Sequence, residues 1–178
     1  MVHKDSERKE KFQILKHNVQ NCSVGVENTK FNEDKIQKSH LKLALNIISR
    51  RMVTKKELVD KFKTKYQEEI SEDVVEKLEN MKLIDDEKVA EIECRNLAER
   101  KFYANSRIKI HLMKRGLSND LISKYLNSDD EKTRALSLLR RKYNSANQKE
   151  KASRLLFSYG YSHSIIKSCI EEYFNEFS

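Results

Sequence analysis

From about residue 40 onward, apolar residues recur at helical spacing in short stretches, separated by serine, glycine and acidic residues. One such stretch is repeated. Residues 111–126 read HLMKRGLSNDLISKYL, and 44 positions later (155 − 111 = 44) residues 155–170 read LLFSYGYSHSIIKSCI. Leu112, Gly116, Ser118 and Ile122 fall on Leu156, Gly160, Ser162 and Ile166, and Met113, Leu121 and Leu126 fall on Phe157, Ile165 and Ile170. A period of this length marks stacked supersecondary units, which usually offer a surface to a large partner rather than a small-molecule pocket.

Each copy spells helix–turn–helix. A helix ends at Gly116 or Gly160, where glycine can take the left-handed conformation. Leu117 or Tyr161 follows as an apolar residue able to fold back on the last turn. Ser118 or Ser162 then caps the next helix, whose apolar residues complete a buried stripe. A third, degenerate copy lies at 58–78, in LVDKFKTKYQEEISEDVVEKL. There Leu58 and Phe62 take the places of Ile108 and Leu112, Tyr66 stands where Gly116 would, and three extra residues precede Ser71. Thr54-Lys55-Lys56-Glu57 fits a capping box at its start. Further helices are predicted before each copy, at about 40–50, 86–101 and 130–143.

The predicted fold is therefore all-α: a tandem array of three three-helix, helix-turn-helix-like repeats, elongated and curved, at 40–86, 87–128 and 129–178. The alternative is one irregular helical domain with accidental self-similarity, which explains the gapless match of caps and stripes less well. Asp85-Asp86 and Asp129-Asp130-Glu131 are placed to open the helices that follow them. Residues 1–39 break the pattern as an N-terminal extension bounded near Glu33–Ser39. Phe12–Leu15 and Cys22–Val26 are short apolar runs of the kind that pair as a β-hairpin, and the first eleven residues read as disordered.

Composition narrows the class. No proline, three glycines and 36% charged residues favour helix throughout. With no long apolar run and no apolar signal core, neither a membrane span nor export is expected, and a cytoplasmic monomer is. Cys22, Cys94 and Cys169 are widely spaced and outside any CxxC pattern, so they read as reduced thiols, two of them buried on helix faces.

The net charge of +8 is unevenly distributed. Residues 40–86 carry ten basic and ten acidic groups. Between 95 and 115, Arg95, Arg100, Lys101, Arg107, Lys109, Lys114 and Arg115 face Glu99 alone. Between 132 and 154, Lys132, Arg134, Arg140, Arg141, Lys142, Lys149, Lys151 and Arg154 face Glu150 alone. Two basic concentrations in successive repeats suggest a stripe that meets a polyanion, although any single lysine or arginine also solvates a helix exterior. Candidate contacts are Arg95, Arg100, Lys101, Arg107, Lys109, Lys114, Arg115, Arg140, Arg141 and Lys142.

No catalytic constellation accompanies them. His3, His17, His40, His111 and His163 are scattered without metal-ligand spacing, and the isolated glycines form no phosphate loop. A non-enzymatic protein without cofactor or metal is expected.

The order Leu83-Ile84-Asp85-Asp86-Glu87-Lys88-Val89-Ala90, then Arg95, Arg107-Ile108 and Lys114-Arg115-Gly116-Leu117 resembles the RecX family of bacterial regulatory proteins. That family has an L-[IL]-D-D-x-x-[FY]-A segment, a downstream arginine and an I-x-x-x-L-x-x-[KR]-G-[IV] helix end. The similarity covers about 40–175. Val89 replaces the usual aromatic, and Met81-Lys82 and Ala104-Asn105 stand where the family often has glycine. The resemblance implies tandem three-helix repeats. It also implies binding in the groove of the RecA filament on single-stranded DNA, restraining strand exchange, ATP hydrolysis and co-protease activity in DNA repair, homologous recombination and the SOS response. A rival from another class is a stand-alone helix-turn-helix regulator or architectural protein on duplex DNA. Against it, Asn119–Lys124 and residues 162–170 offer few long polar side chains for reading bases. A pure protein scaffold would leave the basic clusters unexplained.

Overall fold

A computed structural model describes residues 28–126, 130–144 and 148–175, and among them lie nine α-helices and no strand. The chain divides into two compact units, one ending at Asp86 and the other beginning at Glu87. The segments expected as second and third repeats thus pack into one body. The suggested hairpin, the N-terminal tail and Asp129 lie outside the described residues.

In the first unit, α1 spans Asn28–Ile48, α2 Lys55–Lys61 and α3 Glu72–Asn80. Helix α1 begins far upstream of the expected start near 40 and runs through the supposed boundary at 33–39. The sequence hides this start because residues 28–39 are helix-compatible yet almost wholly polar, so no apolar stripe announces them. From Leu41 the stripe appears, and Ala44, Leu45 and Ile48 bury against Val53, Leu58, Phe62, Val74, Val75, Leu78, Leu83 and Ile84. Each fully buried Leu, Ile or Phe contributes about 1.5–3 kcal/mol.

The capping box forms as expected. Thr54 Oγ1 accepts from the Glu57 amide at 3.1 Å, and Glu57 Oε2 accepts from the Thr54 amide at 3.2 Å. Helix α2 then widens into a π-helical turn, Phe62–Tyr66, and the chain reverses through Gln67 in the left-handed region (φ 56°). The three extra residues of this copy are held by His40, not by Ser71. Ser71 stands at the N-cap position of α3 but its side chain makes no capping bond. Its amide instead donates to His40 Nδ1 at 3.1 Å, while His40 Nε2 donates to Glu68 Oε2 at 3.1 Å. Helix α3 ends with Lys82 in the left-handed region (φ 55°), and the Leu83 amide donates back to the Leu78 carbonyl at 3.0 Å.

The second unit holds α4 (Asp86–Arg95), α5 (Asn105–Lys114), α6 (Asn119–Lys124), α7 (Asp130–Lys142), α8 (Lys149–Ser158) and α9 (His163–Asn175). A π-helical turn, Asn96–Arg100, extends α4. The two copies of the sequence pattern form the same backbone device. Leu117 donates to the Leu112 carbonyl at 3.2 Å and Gly116 to Met113 at 2.9 Å; Tyr161 donates to Leu156 at 3.2 Å and Gly160 to Phe157 at 3.0 Å. This is the Schellman pattern, with Gly116 at φ 96° and Gly160 at φ 89°. Ser118 Oγ then accepts from the Leu121 amide at 3.2 Å, and Ser162 Oγ from the Ile165 amide at 3.4 Å.

Two of the carboxylates that open helices as expected also reach distant amides. Asp86 Oδ1 reaches the Lys55 amide at the start of α2 (2.9 Å), and Glu131 Oε1 reaches the Asn105 amide at the start of α5 (3.0 Å). Asp86, the last residue of the first unit, thereby satisfies an orphan donor of α2 within that unit, and Glu131 one of α5 within the second. Burial raises the Asp86 carboxyl above its ordinary value, and the Lys55 amide partly offsets this.

Candidate interaction surface

The ten basic candidates fall into two groups within the second unit. The first gathers around Phe102. The left-handed turn after the π-helical segment places Phe102 at φ 56°, and two bonds fix it: Tyr161 Oη donates to the Phe102 carbonyl at 2.8 Å, and Arg134 Nη1 to the Tyr103 carbonyl at 2.7 Å. Burial pushes the Tyr161 phenol far above its ordinary value, so it stays a donor. The Arg141 guanidinium lies over the Phe102 ring, 5.8 Å from its centroid. The end of α7 thus lies beside the turn that follows Lys101, and Arg100, Lys101, Arg140, Arg141 and Lys142 are all exposed. The last three sit in the final turn of α7, where each also complements the helix dipole by about 0.3–1 kcal/mol.

The second group lies along α5 and its surroundings. Arg95 and Lys114 are exposed and Lys109 is half-buried. Two members are structural. Arg107 stacks on the Tyr103 ring, 4.3 Å from its centroid, and Nη1 donates to the Ser158 carbonyl. Arg115 pairs with Glu93 at 3.5 Å, its side chain only 13% exposed. Arg134, counted in the second basic run, is likewise committed to the Tyr103 carbonyl and to Asn105 Oδ1. The continuous stripe expected from charge alone thus becomes one exposed cationic patch and a more interrupted helix face.

Some relevant residues carried no signal in the charge pattern. Met113 and Phe157, matched apolar positions of the two copies, are exposed. The helical phase accounts for this, because Ile108 and Leu112, four residues apart, define the buried side of α5 and leave Met113 about a quarter-turn away. His163 is exposed, and its ring lies beside that of Phe157, centroids 5.7 Å apart. His111 is exposed on α5. Cys94 and Cys169 are buried, and desolvation pushes each thiol up to about 11. Among the described residues no three His, Cys, Asp or Glu side chains gather to hold a metal ion, and no helix is long and apolar enough to cross a membrane.

Fold and surface together define a class: an all-helical protein whose distinctive chemistry is an exposed cationic surface on a helix-turn-helix scaffold. Relatives narrow this further. The chain is 31% identical over 156 residues to a regulatory protein RecX of Clostridium botulinum, covering 81% of this chain and 72% of that protein. It is 30% identical over 134 residues to the regulatory protein RecX of Caldanaerobacter subterraneus, covering 72% and 66%. Among solved structures, RecX from Lactobacillus salivarius superposes with a TM-score of 0.64 at 24% identity, over 79% of this chain and 97% of that one. A second regulatory protein RecX structure gives 0.60 at 20% identity, over 91% and 85%. No family model matches the chain. The chain belongs to the RecX family of regulatory proteins.

Proposed function

We propose that this chain regulates RecA, binding in the groove of the RecA filament on single-stranded DNA and inhibiting its recombinase, ATPase and co-protease activities. It acts as a monomer in the cytoplasm, without catalysis of its own. The observation that carries this reading is the Arg141 guanidinium over Phe102, which sets the exposed Arg140, Arg141 and Lys142 at the end of α7 beside the turn that follows the exposed Arg100 and Lys101, in a chain of the RecX family. Five exposed cations on a fixed backbone make a surface suited to acidic protein side chains or to DNA phosphates. Arginine can engage either in a bidentate manner.

The rival duplex-DNA reading needs a recognition helix, and the candidates are poor. Helix α6 has six residues, and Lys124 is held by Glu87. Helix α9 presents His163 and Lys167 as its basic side chains. A salt titration separates the two readings. A filament regulator binds RecA–single-stranded DNA filaments far more tightly than duplex DNA at physiological salt. A stand-alone duplex binder shows tight duplex affinity with a steep salt slope, and that result would overturn the proposal.

A further inference from the structure

Met113 and Phe157 occupy matched places in the two glycine-terminated copies (157 − 44 = 113). Each is the third residue before the glycine, and each lends its carbonyl to that glycine's amide. The capping device therefore fixes both backbones alike, and both side chains project outward, 50% and 62% exposed. The cap needs no apolar side chain there, because Leu112 and Leu156, one residue earlier, supply the buried contact. What the two positions share is apolar character, not a flat ring. Base stacking depends on aromatic faces, so the shared property fits protein side chains better than nucleobases.

Around Phe157 this character deepens into a groove of about 530 Å³ between α8 and α9. Phe157, Ile166 and Ile170 supply its apolar lining, and the His163 ring braces Phe157. Arg154 and Lys167 stand on opposite helices at the rim, with Glu171 as the opposing charge. Arg154 pairs with Glu150 on its own helix, and both are largely exposed, so that pair exchanges readily for another carboxylate.

We infer that this groove receives an apolar side chain presented by an acidic segment of the partner protein, with Lys167 and Arg154 meeting the flanking carboxylates. Apolar anchors in rimmed pockets are where binding energy concentrates. The inference rests on the RecA reading, which supplies the protein partner. It adds a contact separate from the cationic patch around Phe102.

The test uses the full chain, fluorescently labelled, titrated against RecA filaments on single-stranded DNA and, in parallel, against the DNA alone. Phe157→Ser is expected to weaken filament binding at least ~10-fold, as loss of an interface anchor does. Lys167→Glu is expected to weaken it severalfold. Phe157→Met, which installs the residue of the matched position, retains most of the affinity. Affinity for bare DNA stays unchanged in all three. Unchanged filament affinity in Phe157→Ser and Lys167→Glu overturns the inference, as does a parallel loss of bare-DNA binding, which would make the groove a nucleobase site. If Phe157→Ser melts early, the exposed Lys167→Glu decides alone. Wild-type chain that ignores filaments defeats the RecA reading itself, and this groove proposal with it.

Discussion

A Cβ placed on Gly160 would stand 2.8 Å from Arg107 Cβ. The turn after α8 is thus pressed against the first turn of α5, and the seam is closed by backbone and side-chain bonds. Ala104 donates to the Tyr159 carbonyl at 3.0 Å, and Ser106 Oγ to the Gly160 carbonyl at 2.7 Å. Two copies of one sequence pattern become a single body because the end of the second copy's helix fits against the start of the first copy's.

Gly160→Ala is expected to be strongly destabilising. The left-handed conformation costs an alanine about 1–2 kcal/mol, and overpacking against a Cβ that cannot swing away adds about 1–3 kcal/mol. The exposed Gly116, at φ 96°, carries the conformational cost, so Gly116→Ala loses roughly 1–2 kcal/mol. Urea denaturation of the two variants tests this, and equal losses would refute the close approach as the cause.

Lys82→Gly is expected to stabilise the first unit. Lysine at φ 55° costs about 1–2 kcal/mol, against roughly 0.5–1 kcal/mol of extra chain entropy for glycine, leaving a net gain of about 0.5–1 kcal/mol. A lower denaturation midpoint for Lys82→Gly would contradict the assignment.

His40→Phe keeps a ring against Phe62, whose centroid lies 5.4 Å from that of His40, but removes the acceptor for the Ser71 amide. Leaving that amide unsatisfied costs about 1–3 kcal/mol. Hydrogen exchange should show the Ser71 amide opening selectively in the variant; unchanged protection there would show that His40 does not hold the turn.

The thiols of Cys94 and Cys169 are raised chiefly by desolvation, with Glu93 adding to the first, and with Lys132 partly offsetting the second. At pH 8 both should resist a thiol-specific reagent in the native state and react on unfolding. The sign of the linkage follows. A folded value near 11 against an ordinary 9.0 means the folded state holds its protons longer, so this contribution to stability is intact below about pH 9 and is lost as pH rises towards 11. Cys94→Ala/Cys169→Ala should flatten that alkaline decline; an unaltered slope would assign it to other groups.

Much of the architecture is legible in the sequence because local chemistry and tertiary contact agree there. Gly116, Gly160, Ser118, Ser162 and the Thr54–Glu57 box each act within a few residues of themselves, and each forms the bond its spacing implies. Features that depend on distant residues are not legible. Ser71 has the right identity for a cap, yet its amide is satisfied by His40, thirty-one positions away. Asp86 and Glu131 open their own helices as the sequence suggests, but nothing local signals that they also satisfy the Lys55 and Asn105 amides. The upstream half of α1 carries no apolar stripe and is invisible to periodicity.

The interaction surface divides in the same way. Charge counting finds the basic runs, but not that Arg107, Arg115 and Arg134 are consumed by Ser158, Glu93 and the Tyr103 carbonyl. It equally misses the Phe102 turn, over whose ring Arg141 lies.

The central claim is that this patch restrains RecA, and RecA's single-stranded-DNA-dependent ATPase tests it most directly. The assay compares wild-type chain with Arg100→Glu/Lys101→Glu/Lys142→Glu, which alters exposed residues and spares the half-buried Arg115–Glu93 pair. Wild type should inhibit at well below one molecule per RecA, and the triple variant, with helicity unchanged, should lose that inhibition. Full inhibition by the folded variant, or none by the wild type, would contradict the account.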